Sequence, residues 1–309
     1  MTSTVQYMAS EARRQGGATV GIPPRHMRFE FPADADRFCF YGGNSLASSL
    51  FAVFSAIFPP GERFFVESVR HFRDRLRDPV LDAQVSGFIG QEAFHGREHE
   101  QLNNWFRERG YDMATSDRLI RFSLGLLELL PASQQLACTA LMEHFTAELA
   151  EEWLTNMEFR AGADPRMLQL WSWHALEELE HKAVAFDVHE RVSQQPYAER
   201  MLAVPLVAVA LLPSIFAAWG WQVVKQGELF NVEEHRRGWK VLFARGGFIK
   251  RVLNRMPPWF EMGHHPNDHD TRKLEREWRA RLFGAQGELL AQFRNREAVE
   301  RAAPLAKAG

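Results

Sequence analysis

Two stretches decide how this chain folds: GQEAFHGREHE at residues 90–100 and WSWHALEELEHK at residues 171–182. Each contains Glu-x-x-His, Glu92 with His95 and Glu178 with His181. Each also has one more histidine a helical turn away, His99 after the first pair and His174 before the second. Side chains three or four residues apart share a helix face, so Glu92, His95 and His99 point one way, as do His174, Glu178 and His181. Apolar residues extend both faces at the same period: Leu81, Val85, Phe88, Leu102 and Phe106 around the first, Met167, Leu170, Ala185 and Val188 around the second. Carboxylates and imidazoles turned into an apolar core are costly unless paired or bound to a cation. Two Glu-x-x-His helices, with one Glu from each of two more, are how a four-helix bundle holds two metal ions.

The sequence on either side supplies those two further helices. Asn44 caps a short apolar helix that Pro59-Pro60 stops, and a new helix starts near Pro60 with the stripe Phe65, Val69, Phe72 and Leu76, on which Glu62 also lies. Asp78-Pro79 ends it and opens the 90–100 helix, which runs to Arg109 before Gly110 stops it. A crossover helix follows over residues 115–129. The next helix, residues 131–159, has Leu136, Ala140, Glu143, Ala147, Ala150 and Leu154 on its inward stripe. Asp164-Pro165 starts the last one.

Axial level selects the remaining carboxylates. Glu62 lies 16 residues before the turn at Asp78 and Glu92 lies 14 after it, within about 3 Å of one level at ~1.5 Å per residue. Glu67 faces away from the stripe. By the same argument about Gly162, Glu143 fits beside Glu178 and His181, whereas Glu148 is off the stripe. The expected metal set is therefore Glu62, Glu92, His95, His99, Glu143, His174, Glu178 and His181. If the second and fourth helices run antiparallel, His99 and His174 fall at one end of the site, either as ligands or as hydrogen-bonding partners behind the ligands. The donor types suit two iron ions, with manganese or zinc as the other candidates.

The fold class is all-α: a four-helix bundle with a crossover helix and additional C-terminal helices. Residues 1–34, polar and glycine-rich, read as a loose arm, residues 35–195 as the bundle, and residues 196–309 as an apolar helix plus a charged helical tail packed on it. With 309 residues and a formal net charge of −2, nothing draws the chain to nucleic acid. Cys39 and Cys138 are far apart and form neither a disulfide framework nor a thiolate metal site, as expected in a reducing cytoplasm. The first residues lack a secretory pattern. Residues 201–224 contain no charge. They read either as a helix buried on the bundle or as one touching the inner membrane, with Trp219 and Trp221 near its end.

Three segments carry a family resemblance: Pro60-Gly61-Glu62-Arg63-Phe64-Phe65, Phe88-Ile89-Gly90-Gln91-Glu92 with His95 and His99, and His265-Pro266 with Asp268 and Asp270. Over roughly residues 35–275 the chain resembles the bacterial family labelled "predicted metal-dependent hydrolase". Its ligand set resembles that of ferritin-like di-iron carboxylate proteins, and the order His174, Glu178, His181 is similar to the extra-histidine site of arylamine N-oxygenases. The ligand likeness implies a di-iron oxygenase that uses O2 and an electron donor, and the apolar 201–224 segment suits an apolar, lipid-like substrate. The family label implies the alternative, a two-metal hydrolase activating water at the same ligands. A metal-handling protein without a substrate is a third reading, and a homodimer is left open. Off the stripes, Glu98, Glu100, Glu177 and Glu180 read as a solvated charge face, His71 and His144 as partly exposed histidines, and the loop MGHHPNDHD at 262–270 as a surface loop or lid.

Overall fold

A computed structural model describes residues 16–38 and 43–303. Cys39, the first fifteen residues and the last six lie outside the described residues. The described chain is all-α, with no strand among the described residues.

Helices α1 (Ser45–Arg70), α2 (Pro79–Glu108), α4 (Ala132–Thr155) and α6 (Pro165–His181) build the centre, with α3 (Met113–Glu128) connecting α2 to α4 and a short α5 (Met157–Ala161) between α4 and α6. Their ends follow the expected chemistry. Asn44 accepts from the Ala47 amide and Asp78 from the Val80 amide, while Gly110 takes a left-handed φ of 85° beyond α2.

Pro59-Pro60 does not stop the first helix, which runs unbroken from Ser45 to Arg70. A proline has no N–H for the carbonyl four residues earlier. That carbonyl, on Ser55, is taken instead by the Asn103 side-chain amide at 3.1 Å. Close packing on α2 also holds the segment, because a Cβ on Gly96 would lie 3.6 Å from the Pro59 Cα and 3.0 Å from Glu62 Oε2. Two expected continuous helices are broken. Asn156 ends α4, its side chain capping Phe159 at the start of α5. A turn at Lys182 separates α6 from α7 (Val184–Val192), with Lys182 Nζ donating to the His269 carbonyl and to Thr271 Oγ1.

Helix α8 (Pro196–Lys225) packs along α3 and α4, followed by α9 (Val232–Phe243), α10 (Phe248–Arg255), α11 (Arg272–Phe283) and α12 (Arg296–Ala302). The described part of the N-terminal arm is not loose. Ile22, Arg25, Met27 and Phe29 are buried, Gln91 Nε2 donates to the Pro23 carbonyl and Glu98 accepts from the Phe29 amide. The arm lies over the outer side of α2 and α6. Two apolar clusters form the core. One is built on Phe51, Trp153, Trp171 and Phe248, the other on Phe65, Val69, Phe88 and Leu136. Between them the inward stripes turn polar.

Candidate metal centre

The polar layer is assembled from one residue or one motif per helix. Glu62 comes from α1, Glu92 and His95 from α2, Glu143 from α4, and His174, Glu178 and His181 from α6. All seven are at most 4% exposed. Cross-contacts fix the direction of α6 against α2. His99 meets His174 at 2.8 Å, His95 meets Glu178 at 3.6 Å, and Gln91 meets His181 at 2.9 Å. Rising numbers on one helix face falling numbers on the other, so the two run antiparallel and His99 and His174 share one end.

Three groups of donor atoms lie within 4.8 Å of one another: Glu62, His95 and His174; Glu92, Glu143 and His181; and Glu92, His95 and Glu178. Glu178 Oε1 sits among all three imidazoles, 2.9 Å from His174 Nε2, 3.5 Å from His181 Nε2 and 3.6 Å from His95 Nδ1. Both carboxylate oxygens of Glu62, Glu92 and Glu143, Oε2 of Glu178, Nδ1 of His95 and Nε2 of His181 are buried without a hydrogen-bond partner. Native interiors leave few such atoms. Nine converging here, all oxygens and nitrogens with lone pairs, fit a site for cations. Four carboxylates and neutral imidazoles balance the charge of two divalent ions.

The outer nitrogens of the imidazoles are each fixed by a neighbour, which sets the inner ones. His181 Nδ1 donates to Gln91 Oε1 at 2.9 Å, leaving Nε2 directed at Glu92 (3.0 Å) and Glu143 (3.4 Å). His95 Nε2 meets Glu177 Oε2 at 2.9 Å, leaving Nδ1 inward. Ser55 Oγ donates to Asn103 Oδ1 and so accepts from His99 Nδ1 at 3.0 Å. His99 Nε2 is then an acceptor for His174 Nδ1–H, and the lone pair of His174 Nε2 faces Glu178 and, at 3.7 Å, Glu62. His99 reaches the cluster only through His174.

Burial, and then the neighbouring carboxylates, push Glu62 well above the ordinary range. Glu92 rises well above it for the same leading reasons, burial and Glu143. Burial takes Glu143 up to about 7. Burial also raises Glu178, but His181 and His174 outweigh it and hold this carboxylate low. Burial lowers His181, yet Glu178 and Glu143 more than offset that and raise it.

Behind the cluster lies a buried ion-pair layer absent from the sequence-based expectation. Arg25 bonds Glu177 at 2.7 Å and Glu180 at 2.8 Å, and Arg279 of α11 bonds Glu180 at 2.7 Å. The Glu177 and Glu180 side chains are 0% exposed, so they do not form a solvated face. Glu98 and His144 are buried too, while Glu100 and His71 are exposed as expected. The 262–270 loop folds over the α6–α7 turn, with His265 on Asp187 and His269 on Glu151, each through a close contact (2.9 and 2.8 Å). A small, mostly apolar pocket also reaches the cluster. Phe51, Phe58, Trp153, Trp171 and Phe248 wall it, and His174 and Glu178 lie at its inner end.

A family model described as "Predicted metal-dependent hydrolase" matches residues 23–270. The chain belongs to this family. The match begins ahead of the expected residue 35 and takes in Arg25. No curated protein and no solved structure matches the chain.

Proposed function

We propose that this member of the predicted metal-dependent hydrolase family is an enzyme that holds two metal ions among Glu62, Glu92, Glu143, Glu178, His95, His174 and His181. The observation behind this reading is the convergence of unpartnered buried carboxylate and imidazole atoms from four helices. Glu92 belongs to two of the three donor groups, and Glu178 Oε1 lies among all three imidazoles. These two carboxylates, together with Glu62 and Glu143, would hold the ions. His99, engaged by His174 and Ser55, is read as a positioning residue.

Hydrolysis is the reaction that the family description favours. Paired divalent ions supply Lewis acidity and lower the pKa of water at the site. The chain's own residues then have three tasks. Gln91, Glu177 and His99 hold the imidazoles in the tautomers that face inward. The aromatic wall excludes bulk water and seats an apolar group of the substrate. His174 and Glu178, at the inner end of the cavity, meet the bond to be cleaved.

A second reading, oxidation of an apolar substrate with O2 and an external electron donor, is favoured by a specific observation. The donor set is carboxylate-rich and wholly buried, and the cavity beside it is almost entirely apolar. One experiment separates the two. Protein purified without added metal is analysed for metal, then assayed with acyl esters of graded chain length and, separately, reduced anaerobically and exposed to O2. Ester cleavage with zinc or manganese and no O2 uptake supports hydrolysis. Two irons per chain with O2 consumption and no ester cleavage shifts the assignment to oxidation. Less than one metal ion per chain under every loading condition would overturn both.

A further inference from the structure

Helix α8 has its polarity the wrong way round for a helix that faces water. Its polar side chains point inward: Ser214 accepts from Ser123 at 2.6 Å, and Gln222 bonds Ser116 and the Asp112 backbone while 0% exposed. Its outward stripe is Leu202, Val209, Leu212, Phe216, Trp221 and Val224, all exposed, with Val209 at 75% and Phe216 at 57%. From Leu202 to Val224 that stripe is ~33 Å long, and no charged residue interrupts it. The adjoining α3 adds Phe122 and Leu126, with Leu129 just past its end, exposed at 66%, 44% and 81%. Soluble monomers rarely leave a continuous apolar surface of this extent in water.

We propose that this face seats the protein on the surface of a lipid bilayer containing anionic lipid, with α8 lying in the membrane plane. Charge argues for lipid rather than a second copy. The C-terminal end of the stripe is edged by exposed Lys225 and, on α9, by exposed Lys240 together with Arg236 and Arg237, which also pair with Glu233 (3.4 Å) and Glu234 (2.6 Å). Helix α9 is held beside α8 through a chain of rings, Trp239 on Phe243 (4.7 Å) and Phe243 on Trp219 (5.8 Å). A basic edge beside an apolar stripe matches an anionic bilayer interface. In a two-fold contact the same surface patch meets itself, which would bring this basic edge close to its own copy. The exposed aromatics Trp221 and Trp239 suit the headgroup level. Spanning is disfavoured by the inner side of α8, where Ala203, Ala210, Ala218 and Val223 are buried against the bundle. Pro205 and Pro213 also leave the Met201 and Val209 carbonyls without a helical donor, which suits a shallow seat where water remains.

The test is co-sedimentation of the full chain with phosphatidylcholine vesicles, with and without phosphatidylglycerol. Binding is expected with phosphatidylglycerol, and Val209→Glu with Phe216→Glu should weaken it by about tenfold or more. Arg236→Glu with Arg237→Glu should remove the preference for the anionic lipid. Metal content and the melting transition check that the variants fold. The unsubstituted protein gives a second readout. Of nine tryptophans only Trp221 and Trp239 are exposed, so lipid brominated near the headgroup should quench part of the fluorescence. Absence of both vesicle binding and quenching overturns the proposal. So does binding unchanged by the Val209/Phe216 pair, or a lipid-free dimer that this pair dissociates.

Discussion

Nε2 of His99 lies 2.8 Å from Nδ1 of His174, at the one end of the site where the two additional histidines meet. With His99 Nδ1 on Ser55, the pair is a relay of orientation: Asn103 fixes Ser55, Ser55 fixes His99, and His99 fixes the tautomer of His174. The two histidines should therefore behave differently on substitution. His174→Ala removes an inward donor and should lower bound metal below two ions per chain. His99→Ala should keep two ions but bind them about 10–100-fold more weakly, the usual effect of losing a partner behind a ligand. Metal titration by competition with a chelator measures both. Equal stoichiometric loss in the two variants would make His99 a ligand.

Among the described residues Arg25 is the only cation touching both Glu177 and Glu180, and all three side chains are buried. Removing one partner of such a group leaves uncompensated charge in the interior. Arg25→Met should cost about 3–5 kcal/mol in denaturant unfolding. It should also loosen His95, whose Nε2 is held by Glu177. Loss of less than about 1 kcal/mol would show that Arg279 and solvent take over the role.

This layer also marks where reading the sequence stopped short. The inward stripes and axial levels were legible because Glu-x-x-His repeats at helical spacing and because turns at Asp78 and Gly162 set the register. Seven of the eight expected residues meet in one cluster. An inward stripe on α6 predicts a wet face opposite it, and Glu177 and Glu180 fall on that face. Yet Trp171, Trp173, Leu176 and Leu179 lie off its stripe and are all buried, the pattern of a helix covered on every side. That signal was present. What covers the helix, the arm with Arg25 and α11 with Arg279, is a long-range arrangement that no local pattern encodes. Pro59-Pro60 misled for a related reason, since Asn103, 44 positions from Pro59, supplies the hydrogen bond that the proline removes.

The aromatic cavity gives a steric prediction that leaves the metals alone. Ala150 and Ala175 line it. Ala175→Leu should fill part of its volume, with a stability cost of about 1–3 kcal/mol if the walls are crowded. Metal content should stay unchanged. Turnover of long acyl or other extended apolar substrates should fall at least about tenfold, while the shortest substrates keep their rate. A uniform loss across chain lengths would mean that substrate reaches His174 and Glu178 by another route.

Metal binding should be strongly linked to protons. Burial and mutual repulsion raise Glu62 and Glu92, and Glu143 to about 7, from an ordinary value of 4.5. A carboxyl raised in the fold contributes stability below its unfolded value and loses it as pH rises through the folded value, because the native state then binds more protons than the unfolded one. In metal-free protein Glu143 weakens the fold progressively between pH 4.5 and about 7, and Glu62 and Glu92 weaken it from pH 4.5 upward. His181, also raised, adds loss of the same sign. Glu178 is held low, so its own contribution is complete above 4.5 and adds no slope in this window. Metal ions replace the protons, so the difference in melting temperature between loaded and metal-free protein should grow from pH 5 to pH 8. Histidines away from the cluster titrate alike in both forms and cancel in that difference. Calorimetry at pH 6.5 in buffers of different ionisation enthalpy should register net proton release. No proton release, with a melting increment flat across this range, would mean that the carboxylates are ionised before metal arrives and that another charge balances them.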